Sequence, residues 1–239
     1  MNLKCVIVIM LMISCSIGIA QQPDTLPCVS IPKIDRPLKL DGETIDSYWD
    51  KSSHVILEYY PKTSTKSLVA NTRVSFLHDG KMLYLAFDCE DDLVIATKSE
   101  SDDQTFRDDC VEILLGAPDV RLADTACLEI NPIGTMADFY YRHSDWINYR
   151  FTSHARVFTF PKTAFGKKGY RVEIAIPFSS LIPLLRQLDQ GNLSMPKKIR
   201  ANFARWDRGG KNQFSIWSDP QLNLPHPHNP DRFGWLFLE

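Results

Sequence analysis

Two glutamates in strand-like stretches have the clearest chemical potential in this chain of 239 residues. Glu112 lies in the run 111–115 and Glu129 in the run 128–131, each in the polar phase of an alternating apolar pattern. Such a pair could hydrolyse a glycosidic bond if the carboxyls lay ~5–10 Å apart and one pKa were raised. The sequence shows neither condition and contains no nucleophile triad or phosphate-binding loop. We therefore expect a protein that is not an enzyme, with a glycoside hydrolase as the less favoured alternative.

Aspartates form two clusters, one on either side of position 100. They lie at 88–92, and at 102–103 together with 108–109. Calcium takes about six to eight oxygen ligands, and two acidic loops brought together could provide them. The spacing is not that of an EF-hand loop. The sequence therefore offers a structural calcium site, and a solvated acidic surface is the alternative; the candidate ligands are Asp88, Asp91, Asp108 and Asp109.

Histidines give weaker support to a metal or haem site. The one close pair in the sequence is His226-Pro227-His228, and its proline favours an ordinary surface loop. A sandwich protein can hold haem between Met and His, which makes Met136 with His143 a remote alternative. Nothing in the sequence fixes the geometry of that pair.

The N-terminus has the pattern of a secretory signal peptide. Lys4 supplies the positive charge, residues 6–13 form an apolar core, and small residues at 18 and 20 predict cleavage after Ala20. This predicts a secreted protein, periplasmic or at the cell surface, with a lipid anchor at Cys15 as the alternative. No other apolar run approaches the ~20 residues of a spanning helix. The formal net charge of −2 argues against a nucleic-acid-binding surface.

Four cysteines would remain after this cleavage. Outside the cytoplasm an even number of cysteines favours disulfides, although four thiols allow three complete pairings between which sequence does not choose. We expect a Cys89–Cys110 bond because these two residues flank one long loop. Buried free thiols are the alternative.

Short alternating runs separated by turn residues dominate the rest of the chain. The run at 170–176 alternates cleanly, and Asp79-Gly80 would join the runs at 69–77 and 83–87 as a hairpin. Helical signal is scarce. We expect an all-β fold, an antiparallel jelly-roll-like sandwich with one or two short helices. Its expected organisation is a signal peptide at 1–20, an extended lead-in at 21–37 and one domain at 38–239.

Several short motifs follow one another along the chain in an order that resembles a family 9 carbohydrate-binding module. The resemblance runs from about Leu38 to Leu238 and implies a jelly-roll-like sandwich that binds sugars and often carries structural calcium. The motifs are Asp41-Gly42-Glu43 with Trp49, 78–87, Asp109-Cys110-Val111-Glu112-Ile113, 129–135, 169–177, Asn202-Phe203-Ala204-Arg205, Trp217-Ser218-Asp219-Pro220 and His228 to Gly234.

The resemblance also implies where a sugar would bind. The best-understood members hold it between two tryptophans, and Phe106 stands at the place of the first. The place of the second is the stretch 224–228, which has no aromatic carbocycle. The family glutamate is kept as Glu112, and Glu129 stands where those members have an arginine. A second branch of the family has a His-x-Pro-x-x-aromatic-Gly pattern, which His228 begins here.

A sugar ring stacks its apolar C–H face on an aromatic ring and pairs its hydroxyls with charged groups. The expected ligand-binding residues are therefore Phe106, Glu112, Glu129, Trp146, Arg205 and His228. At single residues the alternatives are a hydrophobic plug at Trp146 and a buried Glu112 paired with Arg205 or with a neighbouring strand. The expected function is a secreted, non-catalytic carbohydrate-binding protein that works in polysaccharide utilisation, beside glycan-degrading enzymes. A structural or adaptor sandwich that has lost the sugar site is the alternative from another class.

Overall fold

The computed structural model describes residues 25–59, 70–118, 125–143, 146–185, 187–189, 192–210 and 212–239. The expected signal peptide, with the alternative anchor at Cys15, lies outside these residues. Within them, no helix is long and apolar enough to cross a membrane.

Strands make up most of the described chain. One α-helix, α1, spans Phe178–Leu185, and short 3-10 turns lie at Ser47–Lys51, Thr105–Arg107 and Pro230–Arg232. The expectation of an all-β fold with little helix is confirmed. In chain order the strands are β1 (Cys28–Ile31), β2 (Ser53–Ile56), β3 (Glu58–Tyr59), β4 (Thr72–His78), β5 (Met82–Glu90), β6 (Cys110–Gly116), β7 (Thr125–Ile130), β8 (Met136–His143), β9 (Trp146–Asn148), β10 (Arg156–Phe160), β11 (Gly169–Pro177), β12 (Gln187–Asp189), β13 (Asn192–Ser194), β14 (Lys198–Asp207), β15 (Gln213–Ile216) and β16 (Gly234–Leu238).

Most strands belong to two sheets. The nine-stranded sheet has the order β1-β16-β14-β6-β7-β8-β9, with β15 also paired to β14 and β3 paired to β15. The five-stranded sheet has the order β10-β11-β5-β4-β2, and β12 with β13 forms a separate hairpin. Strand β1 pairs in parallel with β16. The sheet therefore begins at Cys28, inside the segment that the sequence predicts as a lead-in.

The hairpin between β4 and β5 has the turn that the sequence predicts. Gly80 has a φ of 86°, a left-handed value that residues with a Cβ rarely adopt. The Asp79 carboxylate accepts the backbone N–H groups of Lys81 and Met82, both at 2.8 Å. These bonds close the turn and fix the register of the two strands.

Alternation along the strands sets the two faces of each sheet. Val111, Ile113 and Leu115 of β6 point inward and belong to one core with Val172 and Ile174 of β11. The facing apolar residues of both sheets form this core, which holds the sandwich together through burial of apolar surface.

The two ends of the chain cover the outer faces of the sandwich. Trp49 from the N-terminal segment packs in a cluster with Leu77 and Tyr84 of the five-stranded sheet. Phe233, near the C-terminus, packs with Leu114 and Phe139 on the outer face of the nine-stranded sheet. The outer face of the nine-stranded sheet is therefore partly enclosed, and the candidate site lies there.

The predicted Cys89–Cys110 disulfide is not formed, because the two thiols point into different parts of the molecule. Both are free, as are Cys28 and Cys127. Cys89 belongs to the core between the sheets. Cys110 is one residue out of phase with the core residue Val111, so it points to the outer face of the nine-stranded sheet. Burial raises the pKa of Cys89 to about 11, so this thiol stays protonated.

Candidate functional site

Glu112 and Glu129 lie directly opposite each other on the outer face of the nine-stranded sheet. The β6–β7 register pairs them, and Ala204 and Ala137 flank them on β14 and β8. The small flanking side chains leave the carboxyls room between the neighbouring strands. Only 4% of Glu112 and 8% of Glu129 is exposed. The structure thus brings two of the predicted site residues into one buried pair.

Few hydrogen bonds offset the burial of these two carboxyls. The Trp206 indole Nε1–H donates to Oε1 of Glu112, and the Thr105 hydroxyl is 3.4 Å from Oε2 of Glu129. Oε2 of Glu112 is buried and has no hydrogen-bond partner among the described residues. Burial first, and then the Glu129 carboxylate, raise the pKa of Glu112 well above its usual value; burial also raises the pKa of Glu129. The pair therefore favours a state in which the two carboxyls share a proton.

A cleft of about 550 Å³ opens beside Glu129. Its walls come from the loop before β6, from β8 and β9, and from the C-terminal segment before β16. Phe106 is 38% exposed and Tyr149 is 60% exposed, so both rings can reach a ligand. The residues that line the cleft are Asp102, Asp103, Gln104, Phe106, Glu129, Ala137, Phe139, Tyr141, Ile147, Tyr149, His226 and His228.

Two imidazoles stand in the stretch where the better-known family members have their second tryptophan. The His228 ring lies with its centroid 4.1 Å from that of Tyr141, and the His226 and His228 centroids are 5.1 Å apart. His228 Nδ1 is 3.7 Å from Cys127 Sγ. Desolvation lowers the pKa of both rings, to about 3 for His228. At neutral pH this wall therefore consists of flat, uncharged rings, although the sequence favours an ordinary loop at 226–228.

Strand β8 contributes two aromatic residues to the cleft that the sequence motifs did not predict. Phe139 and Tyr141 share the phase of Ala137, which lies opposite Glu129. Phe139 packs against Tyr149 with 5.5 Å between ring centroids. The alternation of β8 was the available signal, but it needed the β7–β8 register to show that these rings adjoin Glu129.

Trp146 lies outside the cleft. It is on β9, one position out of phase with the cleft residue Ile147, and is 39% exposed. The Arg142 guanidinium carbon lies 4.7 Å from the centroid of its ring. This placement matches neither a stacking ring in the cleft nor a buried plug. For the remote haem alternative, the side chain of His143 lies outside the described part of the structure.

Arg205 is buried on the opposite side of the nine-stranded sheet from Glu112. It pairs in register with the core residue Val111 and is only 2% exposed. Its guanidinium donates to the Glu90 carbonyl at 2.8 Å and to Asp91 Oδ2 at 2.8 Å. The expectation that Arg205 contacts a ligand with Glu112 is therefore wrong, and so is a pairing of those two residues. Glu112 is instead a buried carboxyl that contacts neighbouring strands, as the other form of that alternative expected.

A group of three buried aspartates lies beside Arg205. Carboxylate oxygens of Asp91, Asp109 and Asp207 lie within 4.8 Å of one another. Asp91 and Asp109 come from the two acidic clusters seen in the sequence, and Asp207 ends β14. We call these three residues the aspartate triad.

The other two predicted calcium ligands lie elsewhere, so that part of the prediction is wrong. Asp88 forms a buried ion pair with Arg171 at 2.5 Å. Asp108 accepts hydrogen bonds from the backbone of Thr97 and Lys98, both at 2.8 Å. Both carboxylates are already satisfied by the protein itself. Asp207 was missed because its place in the triad depends on the end of a strand far along the chain.

The aspartate triad has the donor chemistry of a hard-cation site. Arg205 Nη2 reaches Asp91 at 2.8 Å and Asp207 at 3.4 Å, so one guanidinium pairs with two of the three carboxyls. Burial raises the pKa of Asp207 to about 6 and also raises the pKa of Asp109. The neighbouring aspartates add to the rise of both pKa values, although Asp109 also accepts the backbone N–H groups of Ile95 and Arg208. Oxygen donors with excess negative charge suit calcium.

The sequence motifs resemble one protein family, and a match to the model of that family shows membership. A family model described as carbohydrate family 9 binding domain-like matches residues 40–239. The chain belongs to this family. None of the curated proteins gives a significant match.

Solved structures share the fold of this family 9 domain. One is a candidate carbohydrate-binding protein from Bacteroides uniformis, with a TM-score of 0.71 and 17% identity, covering 90% of this chain and 100% of that one. A family 9 module from Caldicellulosiruptor kristjanssonii in complex with cellotriose has a TM-score of 0.60 and 17% identity, covering 89% and 94%. Its glucose complex has a TM-score of 0.60 and 16% identity, covering 89% and 96%.

Proposed function

We propose that this chain is a non-catalytic carbohydrate-binding protein that holds a sugar in the cleft beside Glu129. The observation that carries the proposal is the meeting of an exposed aromatic ring, Phe106, with a buried carboxyl in one concave site. Ligand sites combine apolar and aromatic walls with a few fixed polar groups in this way. Family membership and the sugar complexes of structurally similar modules support the same ligand class.

The cleft can contact both the apolar C–H face and the hydroxyl groups of a pyranose ring. Phe106 and Tyr149 offer ring faces for the C–H surface of the sugar, a contact of the kind that stabilises aromatic packing. Glu129 lies among these rings, and its carboxyl can accept a hydroxyl hydrogen in a charge-assisted bond. Gln104 at the rim adds a donor and an acceptor.

Binding without hydrolysis fits the placement of the two glutamates. A glycosidase needs both carboxyls beside the scissile bond, with one on each side of it. Here Glu129 lines the cleft, whereas Glu112 lies behind it, under the indole of Trp206. A cleft instead of a flat surface beside this pair also favours ligand binding over a purely structural or adaptor role.

A structural calcium ion belongs to the same proposal. The aspartate triad would hold it, and the ion would supply positive charge that Arg205 alone does not. Because the triad joins the ends of β5 and β14 to the loop before β6, a bound ion would stabilise the loop that carries Phe106. The pattern at residues 1–20 supports secretion, and work beside glycan-degrading enzymes is a consistent role for a secreted binding domain.

Calorimetric titration of the chain starting at Gln21 tests the sugar ligand. Cellotriose and glucose come first, followed by a panel of plant and host oligosaccharides. We expect a Phe106→Ala variant to lose roughly two- to tenfold in affinity, because one stacked ring is worth about 0.5–1.5 kcal/mol. Phe165→Ala is the control, since Phe165 is 62% exposed in the loop before β11 and is not part of the cleft. Absence of binding across the panel would remove sugar as the ligand.

A further inference from the structure

One side of the cleft is acidic. Asp102 and Asp103 stand at its rim, and Glu129 lies at its floor. The rim is held against β8, since the Asp102 N–H donates to the Met136 carbonyl at 3.1 Å. Asp102 has a φ of 60°, a left-handed value that Asp tolerates better than most residues. The rim carboxylates are therefore held in place beside the opening.

The cleft has little positive charge to balance these groups. Among the described residues that line it there is no lysine or arginine, and its two imidazoles are neutral at pH 7. The Lys98 ammonium lies 3.7 Å from Asp103, which compensates that carboxylate in part. Arg208 approaches from outside and donates to the backbone carbonyl of Phe106 at 2.7 Å.

The floor of the cleft adds a second, independent sign of an unmet positive partner. Glu129 is 8% exposed, and besides the proton that it shares with Glu112 its carboxyl accepts only the long 3.4 Å bond from the Thr105 hydroxyl among the described residues. A ligand that brings N–H groups into the cleft would give the Glu129 carboxyl a further donor.

We propose that the cleft selects sugars that carry a free ammonium group, such as glucosamine oligomers, over neutral sugars and strongly over uronic acids. The proposal rests on the sugar-binding function above and names the substrate class of the same site. An ammonium near the rim would meet two carboxylates and the faces of Phe106 and Tyr149, which attract cations. A uronate would meet like charge at the rim, and no lysine or arginine among the described lining residues would pair with it, although the Arg107 guanidinium carbon lies 5.8 Å from the centroid of the Phe106 ring.

Three matched trimers test this selectivity because they share the β-1,4 linkage. They are cellotriose, the glucosamine trimer and the glucuronic acid trimer, each titrated calorimetrically at pH 6.5 and low ionic strength. We expect the glucosamine trimer to bind roughly three- to tenfold more tightly than cellotriose, as partly exposed charge pairs allow. The advantage should shrink in 0.5 M salt. The glucuronic acid trimer should bind at least tenfold more weakly than cellotriose.

The double variant Asp102→Asn/Asp103→Asn tests whether the rim carboxylates cause the preference for the glucosamine trimer. It should lower the ratio of glucosamine-trimer affinity to cellotriose affinity towards one, since Asn removes the charge, keeps the shape and tolerates the left-handed φ. The control Glu43→Gln/Asp50→Asn alters net charge equally at exposed sites away from the cleft. Equal affinity for cellotriose and the glucosamine trimer overturns the selectivity alone. Failure of every trimer to bind overturns the sugar-binding function itself.

Discussion

At the scale of single residues, the unusual feature is a pair of carboxyls buried against each other. Glu112 and Glu129 face each other across two central strands, and the Trp206 indole and the Thr105 hydroxyl donate hydrogen bonds to them. Burial of like charges is costly unless a proton is held between them. The pair therefore makes the floor of the cleft polar, and it lowers the stability of the folded state at high pH.

This cost predicts a pH dependence of stability. The folded pKa of Glu112 is raised, so the folded state keeps a proton that the unfolded chain releases, and stability falls as pH rises above about 4.5. Glu112→Gln places an uncharged amide there, so the decline in unfolding free energy from pH 5 to pH 8 should become smaller by roughly 1–3 kcal/mol. Urea denaturation at the two pH values measures it.

The exposed Glu43 provides the control for this experiment. Glu43→Gln should leave the decline between pH 5 and pH 8 as it is in the unchanged chain. An identical pH profile for Glu112→Gln and the unchanged chain would show that the buried pair holds no shared proton.

At the scale of elements, close contact between β5 and the start of β11 holds the first acidic cluster in place. Gly169 lies opposite Glu90 in the register, with a φ of 133°. A Cβ at this position would be 1.9 Å from the Cys89 carbonyl oxygen. The Asp91 N–H donates to the Lys168 carbonyl at 3.1 Å, so this contact also positions a member of the aspartate triad.

Gly169, the first residue of β11, and Gly166, in the loop before it, should therefore respond differently to alanine. Gly169→Ala should lower the unfolding free energy by more than about 2 kcal/mol, because backbone atoms must move to relieve the overlap. Gly166→Ala should cost only about 1 kcal/mol, since its φ is 69° but no atom lies within 4 Å of an added Cβ. Thermal unfolding of both variants gives the comparison. Equal losses would mean that the approach of β11 to β5 is looser than the structure shows.

The local sequence pattern was enough to predict where strands lie, but not which strands pair with each other in the sheets. The alternation at 170–176 and the Asp79-Gly80 turn gave β11 and the β4–β5 hairpin, because both signals lie within a few residues. Arg205 was misplaced for a physical reason. Strand β14 is buried on both faces, so alternation there does not tell which face is inside.

The cleft was predicted only in part for a similar reason. Phe106 and Glu129 were found from short motifs, whereas Phe139 depends on the register of β7 with β8. His226 reaches the cleft through the C-terminal segment, far along the chain from the other walls. Cys89 and Cys110 are close in sequence, yet they lie on different sheets. Pairings between distant segments are set by the whole fold and leave little trace in local sequence.

At the scale of the whole molecule, the aspartate triad links the two sheets through Arg205. Asp91 follows β5 of the five-stranded sheet, and Asp207 ends β14 of the nine-stranded sheet. The negative charge of the aspartate triad therefore lies where the two sheets meet. A cation that neutralises it should therefore stabilise the sandwich as a unit.

Calcium should raise the melting temperature by about 5–10 °C at a hundred times its dissociation constant, where binding contributes about 2.7 kcal/mol. The shift should be larger at pH 7 than at pH 5, because the pKa of Asp207 is about 6 and a bound proton competes with the ion. Asp207→Asn should abolish most of it. Asp92→Asn is the matched control, since its side chain is 91% exposed. Equal melting temperatures in calcium and in a chelator would contradict the site.

The most direct test of the account is a crystal structure with the oligosaccharide that binds most tightly in solution. We predict one pyranose ring stacked on Phe106 or Tyr149, with a hydroxyl or ammonium group about 3 Å from the carboxyl of Glu129. An ordered sugar on the five-stranded sheet or at another edge of the sandwich, with the cleft holding only water, would contradict it.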